Sequence, residues 1–305
     1  MGIKDKYREA WEALIKPVKF QFPKEALGLQ KQLIDGRVVL REDFNVLNCD
    51  GFKLEGSFYY PENTQGKSLD VVMYLHTRGG TRLEGVYLLN VLLPKMGLVV
   101  FDFAGSGYSE GEYITLGAKE SRDVRLVIDR MKEKHSIGRI ILWGRSMGAV
   151  ASILFAAEPS NKGIISGLIL DSPFSSFRRM IHDVVTIRKN VPLCIINAFL
   201  YFILKTIKKK TGVNLSKIEP IQKMAQIDLP GFFIVAHNDI ISRPDKVKDL
   251  YLTLQNDTKE FHLVQGEHNS QRDKIVILNA LYFMLKCVSK GKNANGGLVE
   301  AQKAE

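Results

Sequence analysis

The sequence predicts an α/β fold with a mostly parallel central sheet and helices on both of its faces. Three observations predict it. Apolar runs of strand length alternate with segments of helical period from Val71 to Val288. The runs are nearly continuous in Val, Ile, Leu and Phe, as strands buried on both faces are. A glycine-rich stretch, Gly144-Arg145-Ser146-Met147-Gly148, joins one such strand to one such helix.

In chain order, Val38 to Asn48 and Phe52 to Pro61 are extended runs around Cys49-Asp50-Gly51, and an Asp-Gly pair between apolar runs marks a β-hairpin. Val71 to Leu75 is a strand, Leu83 to Pro94 a helix, Leu98 to Asp102 a strand, and Ala118 to Lys134 a helix. Arg139 to Trp143 is a strand, Met147 to Ala157 a helix and Gly167 to Leu170 a strand. Gly231 to Ala236, Asp245 to Leu254, Glu260 to Val264 and Lys274 to Val288 continue the alternation as strand, helix, strand and helix. The antiparallel hairpin at the start makes the sheet mixed.

Residues 1–37 read as an amphipathic, helical N-terminal extension and 38–288 as the α/β domain. Between Ser172 and Leu229 the alternation stops. This segment, 172–229, reads as a helical cap inserted over the sheet, with the apolar run Val191 to Leu204 followed by Lys205 and Lys208-Lys209-Lys210. The run is too short to span a bilayer comfortably. Residues 289–305, rich in Gly, Asn and Lys with little to bury, read as a disordered tail.

At 305 residues, 45% hydrophobic and 25% charged, the chain can bury a large core. Cys49, Cys194 and Cys287 are far apart and odd in number, which argues against a disulfide framework or a zinc site and for reduced thiols in an intracellular, cytoplasmic protein. The N-terminus has no signal-peptide core, and Lys6 stands where a myristoylation signal needs Ser or Thr. The net charge of +10 has two readings, scattered surface lysines or attraction to an anionic membrane. No nucleic-acid motif accompanies it, so a nucleic-acid partner is set aside.

Gly144 to Gly148 fits G-x-S-x-G, a pattern that composition alone supplies in roughly one chain in ten of this length. Its setting adds the specificity. It follows Ile140-Ile141-Leu142-Trp143 and precedes Ala149-Val150-Ala151-Ser152, the strand, sharp turn and helix that a nucleophile elbow requires. Ser146 is the candidate nucleophile and needs a base. His268, in Gln265-Gly266-Glu267-His268-Asn269, falls after the last strand, where the base belongs in the order Ser, acid, His. His262 lies within a strand, and His135 and His182 lie in charged stretches. His76 and His237 end strands and are read as loop-orienting. The acid is Asp239, at the end of a strand, with Asp171 as the alternative. The oxyanion donors are the backbone N–H of Met147 and that of Arg78, with Thr77 as the alternative to Arg78. No metal and no cofactor is called for.

Five motifs carry a resemblance. Leu75 to Arg82, Asp102 to Gly111, Gly144 to Gly148, Asp171-Ser172-Pro173-Phe174 and Glu267-His268-Asn269-Ser270 resemble those of the serine-aminopeptidase-like α/β-hydrolases, a group that overlaps the ABHD-type hydrolases. The resemblance runs from about Val38 to Val288 and implies the α/β-hydrolase fold. Such families include peptidases, lipases, esterases and thioesterases. Two positions differ: Thr77 replaces a glycine in the oxyanion loop, and Ala236 stands where a glycine usually precedes the acid.

The expected function is therefore acyl-bond hydrolysis, of an ester or thioester, through a Ser-His-Asp triad and an acyl-enzyme. The apolar cap favours esters over peptides, because it can shelter an acyl chain. Two alternatives stay open, an aminopeptidase-type peptidase and a non-catalytic binding protein of the same fold. The partners expected are a small acyl or peptide substrate and a weak contact with an anionic membrane.

Overall fold

The computed structural model describes residues 2–64, 67–92, 96–189 and 193–300. Among them, nine strands form one sheet. Helix α1 (Ile3–Ile15) precedes strands β1 (Lys31–Ile34), β2 (Arg37–Leu47), β3 (Lys53–Pro61) and β4 (Leu69–Leu75). Helix α2 (Leu89–Leu92), β5 (Gly97–Phe101), α3 (Glu120–Lys134), β6 (Ile137–Arg145), α4 (Met147–Ala156) and β7 (Gly167–Asp171) follow. The segment between β7 and the next strand supplies α5 (Phe177–Lys189), α6 (Leu193–Thr211) and α7 (Pro220–Met224). The chain ends with β8 (Gly231–Ala236), α8 (Pro244–Thr253), β9 (Lys259–Val264) and α9 (Lys274–Glu300).

The spatial order is β1-β2-β3-β5-β4-β6-β7-β8-β9. β1, β2, β3 and β5 pair antiparallel; from β5 through β4 to β9 the pairing is parallel. β4 lies between β5 and β6, so the chain steps to one side after β4 and to the other after β5. A parallel sheet opens a crevice at the carboxyl ends of its strands where its order reverses in this way. Alternating side chains of the central strands feed two cores. Met73, Leu75, Leu142 and Leu170 pack with α1, α3, α4 and α5 to α7 on one face, and Val72, Tyr74, Trp143 and Ile169 pack with α2 and α9 on the other. Each fully buried Val, Leu or Phe contributes about 1.5–3 kcal/mol.

Three segments differ from the sequence reading. The helix expected over Leu83 to Pro94 is a 3-10 segment, Arg82–Leu88, followed by the single turn α2; residues 93–95 lie outside the described residues. The 3-10 segment passes so close to β4 that a Cβ on Gly85 would come 2.8 Å from the Tyr74 ring. The sheet begins inside the stretch read as an extension, because Asp35 and Gly36, both at positive φ, turn β1 onto β2. Of the stretch 289–305, the first part continues α9, and residues 301–305 lie outside the described residues. Residues 190–192, at the start of the apolar run between β7 and β8, also lie outside them.

Candidate active site

The turn from β6 into α4 sets Ser146 at the sheet's carboxyl edge. Its backbone has φ 50° and ψ −111°, a conformation that L side chains rarely adopt. The strain persists because the surroundings fix the turn. The Ser146 N–H donates to the Asp171 carbonyl at 2.7 Å, and its own carbonyl accepts from Val150 N–H at 3.1 Å. Both glycines of the motif are required by close approach. A Cβ on Gly144 would lie 2.3 Å from the Gly148 carbonyl oxygen, and one on Gly148 would lie 2.0 Å from the Leu75 carbonyl oxygen. Ser146 is 9% exposed at the head of α4, whose free N–H groups and dipole favour negative charge.

His268 and Asp239 reach the same point from the loops after β9 and β8. His268 Nε2 is 2.9 Å from Ser146 Oγ, and Nδ1 is 2.7 Å from Asp239 Oδ2. Asp239 is buried, and its other oxygen accepts from the N–H groups of Ile241 at 3.0 Å and Ser242 at 2.7 Å. Those two bonds fix the carboxylate, so it holds the imidazole with Nδ1 protonated and Nε2 facing the serine. Ser242 Oγ donates to the Ser172 carbonyl at 2.7 Å and so ties this loop to the end of β7. Only 8% of His268 is exposed, which keeps the pair in surroundings of low dielectric.

Asp171, the alternative acid, is turned away from this line. Its carboxylate takes Arg272 instead, with Nε 3.0 Å from each oxygen and Nη2 2.8 Å from Oδ1. Arg145 Nε lies 3.6 Å from Asp171 Oδ2. Both arginines then donate to the loop that carries the base. Arg145 Nη2 reaches the carbonyls of His268 at 3.1 Å and Ser270 at 2.7 Å, and Arg272 Nη1 reaches that of Ser270 at 3.0 Å. Sequence reasoning missed both arginines. Arg145 was a variable position of the motif, and Arg272 lies 101 residues from Asp171.

The loop after β4 turns at Gly79, φ 76°, with Gly80 N–H donating to the Thr77 carbonyl at 3.0 Å. Thr77 is not among the residues at positive φ, so its backbone conformation is one that a Cβ tolerates. Its N–H, however, donates to Glu84 Oε2 at 2.8 Å. That bond engages the Thr77 N–H within its own loop, while Met147 N–H stands at the first position of α4. The Arg78 side chain points elsewhere: Nε donates to the Leu14 carbonyl at 3.4 Å and Nη2 to the Ala13 carbonyl. A guanidinium there satisfies the last carbonyls of α1 and complements its dipole. The oxyanion loop is thus fastened to the N-terminal helix.

The other histidines have structural partners. His76 Nε2 accepts from Phe103 N–H at 3.0 Å, so Nδ1 carries the proton and donates to the Thr77 carbonyl at 2.7 Å. It straps the loops after β4 and β5 together. His262 stacks on Phe232 at 4.3 Å, His135 lies 3.3 Å from Glu42, His182 bonds Asn197 and His237 bonds Asn238. Among the described residues, no cluster of three or more His, Cys, Asp or Glu could hold a metal ion.

Comparison with known proteins follows the same lines. The family model "Serine aminopeptidase, S33" matches residues 93–219. The chain is 23% identical over 238 residues to the Saccharomyces cerevisiae protein named "Uncharacterized membrane protein YNL320W", covering 77% of this chain and 76% of that one. It is 32% identical over 124 residues to the lysophosphatidylserine lipase ABHD12 of Gallus gallus, which is 38% of this chain but 31% of that protein. Among solved structures it superposes on the Pyrococcus furiosus esterase Pf2001 with a TM-score of 0.64 and 20% identity, over 88% of this chain and 98% of that one.

Proposed function

We propose that this chain, which has the α/β-hydrolase fold, is a serine hydrolase of carboxylic esters or thioesters. The observation that carries the reading is the line Ser146 Oγ, His268 and Asp239, at 2.9 and 2.7 Å, with the serine strained at the head of α4. Neutral His268 accepts the Ser146 proton at Nε2 as Oγ attacks the substrate carbonyl. The carbonyl oxygen becomes an oxyanion facing the N–H groups of Met147 and Arg78. Nε2 returns the proton to the leaving alcohol or thiol, and the C–O or C–S bond breaks. Water then adds to the acyl-enzyme with its proton going to Nε2, and collapse returns that proton to Ser146 and frees the acid.

The apolar character of the helical segment between β7 and β8 favours an apolar acyl group. Phe177 of α5 and Leu200, Ile203, Leu204 and Ile207 of α6 belong to one apolar cluster with Met147, the residue beside the nucleophile. A peptidase is the second reading, favoured by the family model that matches 93–219. A panel of p-nitrophenyl esters of increasing acyl length, run beside aminoacyl p-nitroanilides, decides between them. Ester turnover that rises with chain length and no anilide cleavage is the expected result. Anilide cleavage matching ester cleavage in kcat/KM overturns it.

A further inference from the structure

Helix α6 has one buried side and one bare side. Ile196, Leu200, Ile203, Leu204 and Ile207 are buried against the core cluster. Ile195, Phe199, Tyr201 and Phe202 are exposed, and so are Lys205, Lys208 and Lys209 in the next two turns. At 3.6 residues per turn six of these fall on the side opposite the buried set, while Phe199 sits at its edge with its ring 6.0 Å from that of Tyr7 on α1. The outward face is therefore apolar and aromatic in its first half and cationic in its second. The helix carries no Asp or Glu. Lys210 belongs elsewhere: its ammonium lies 4.5 Å from the centre of the Trp11 ring and 5.4 Å from that of Tyr113, inside the contact between α6 and α1. Lysines in a last turn also complement the helix dipole, which accounts for part of the charge. The dipole does not account for Tyr201 and Phe202, 63% and 57% exposed, whose rings touch at 5.4 Å with water over both.

We infer that this face of α6 docks on an anionic lipid bilayer, with Tyr201 and Phe202 at the acyl boundary and Lys205, Lys208 and Lys209 among the headgroups. Aromatic side chains with a cationic flank are what an interfacial helix presents, and charge complementarity selects an anionic surface over a neutral one. No described helix is long and apolar enough to cross a membrane, so α6 would lie on the surface. The opposite side of α6 belongs to the apolar core cluster that also holds Met147, the residue after Ser146. Docking therefore brings that cluster to a surface where lipid-borne acyl esters lie; this last step alone rests on the hydrolase reading.

The test is co-sedimentation of the full-length protein with phosphatidylcholine vesicles and with phosphatidylcholine–phosphatidylserine vesicles. The wild type is expected to bind the anionic vesicles at low salt, to be released at high salt and to ignore the neutral ones. The triple variant K205Q/K208Q/K209Q should lose on the order of a hundredfold in partitioning, from about fivefold per lysine. The variant Y201S/F202S should bind more weakly at every salt concentration. All five side chains are exposed, so both variants should keep the wild-type melting temperature, and both should hydrolyse a short soluble ester at the wild-type rate. That control separates a failure of docking from a failure of the triad. Absence of wild-type binding to anionic vesicles overturns the inference, as does binding that the glutamine substitutions leave unchanged. A wild-type dimer that Y201S/F202S dissociates also overturns it, because the face would then be a contact between two copies of this chain.

Discussion

Arg272 holds Asp171 through three hydrogen bonds of 2.8–3.0 Å, and it does so four residues after His268. The pair is buried, Arg272 to 4% exposure and Asp171 to 2%, so each charge depends on the other. Asp171 also accepts the Ser146 N–H on its carbonyl. One aspartate therefore anchors the turn that carries Ser146 by its backbone and the loop that carries His268 by its side chain. Asp171→Asn is expected to destabilise the fold by about 3–5 kcal/mol, as removal of one partner of a buried ion pair does. Arg272→Lys keeps the charge but not the planar fork. It should lower kcat with little change in KM, because only the placing of His268 is disturbed. Urea unfolding and steady-state kinetics read the two effects, and an Asp171→Asn protein of wild-type stability contradicts this role.

Asp239→Asn should behave in the opposite way. The loop bonds from Ile241 and Ser242 end on Oδ1, which an amide oxygen can replace. An amide at the Oδ2 position, however, donates to His268 Nδ1 and selects the wrong tautomer. Turnover should fall by about ten-thousandfold while the melting temperature stays near wild type. If Asp171→Asn were the more damaging to kcat in protein of equal folded fraction, the acid would have to be reassigned.

Gly148→Ala places a methyl group 2.0 Å from a backbone oxygen of β4, which cannot swing aside. A loss of about 3 kcal/mol or more is expected. Gly167→Ala is the control, because a Cβ there meets its nearest neighbour at 3.6 Å. Equal melting temperatures for the two variants would contradict the close packing of α4 against β4.

Asp123 gives the fold a pH dependence. Burial first, and then neighbouring Glu120, push its carboxyl up to about 7. Its folded pKa lies above the unfolded one, so the protonated form stabilises the fold. That contribution is complete below about pH 4 and is lost as pH rises through about 7. Asn48 Nδ2 donates to Asp123 Oδ1 at 3.2 Å, a bond that an asparagine oxygen can keep. Asp123→Asn should therefore flatten the decline and gain at most about 4 kcal/mol over wild type near pH 8. Urea unfolding at about pH 5 and about pH 8 checks this, and parallel pH slopes for the two proteins contradict it.

What the sequence discloses here follows the range of the interactions. The buried strands are legible because each run bears its own apolar signal; Ile140 to Trp143 and Phe232 to Ala236 need no partner to be recognised. The elbow is legible because its residues stand together in the chain, Gly144 answering to Gly148 within one turn, even though Gly148 itself answers to the distant Leu75 carbonyl. β1 carried a usable local signal, Asp35-Gly36, of the same kind that marks the hairpin at Asp50-Gly51. Leu83 to Pro94 misleads because its apolar spacing suits a helix, while packing of Gly85 on Tyr74 tightens it to a 3-10 course. The clasp of Arg272 on Asp171 and the bond from Thr77 to Glu84 leave no local pattern; the first becomes visible only when β8 and β9 are laid beside β7. The same holds for Lys210, one of the four lysines that follow Leu204 in the sequence but a partner of Trp11 in space.

The most direct test of the central claim is active-site labelling with a fluorophosphonate, read by mass spectrometry of the tryptic peptides. The probe reports a serine activated by its base, whatever the natural substrate. A single adduct on Ser146 is expected in the wild type, none in Ser146→Ala, and labelling slowed by orders of magnitude in His268→Ala. No adduct on Ser146 in folded wild-type protein, or an adduct that forms as fast without His268, would contradict the triad and leave the fold as a binding scaffold.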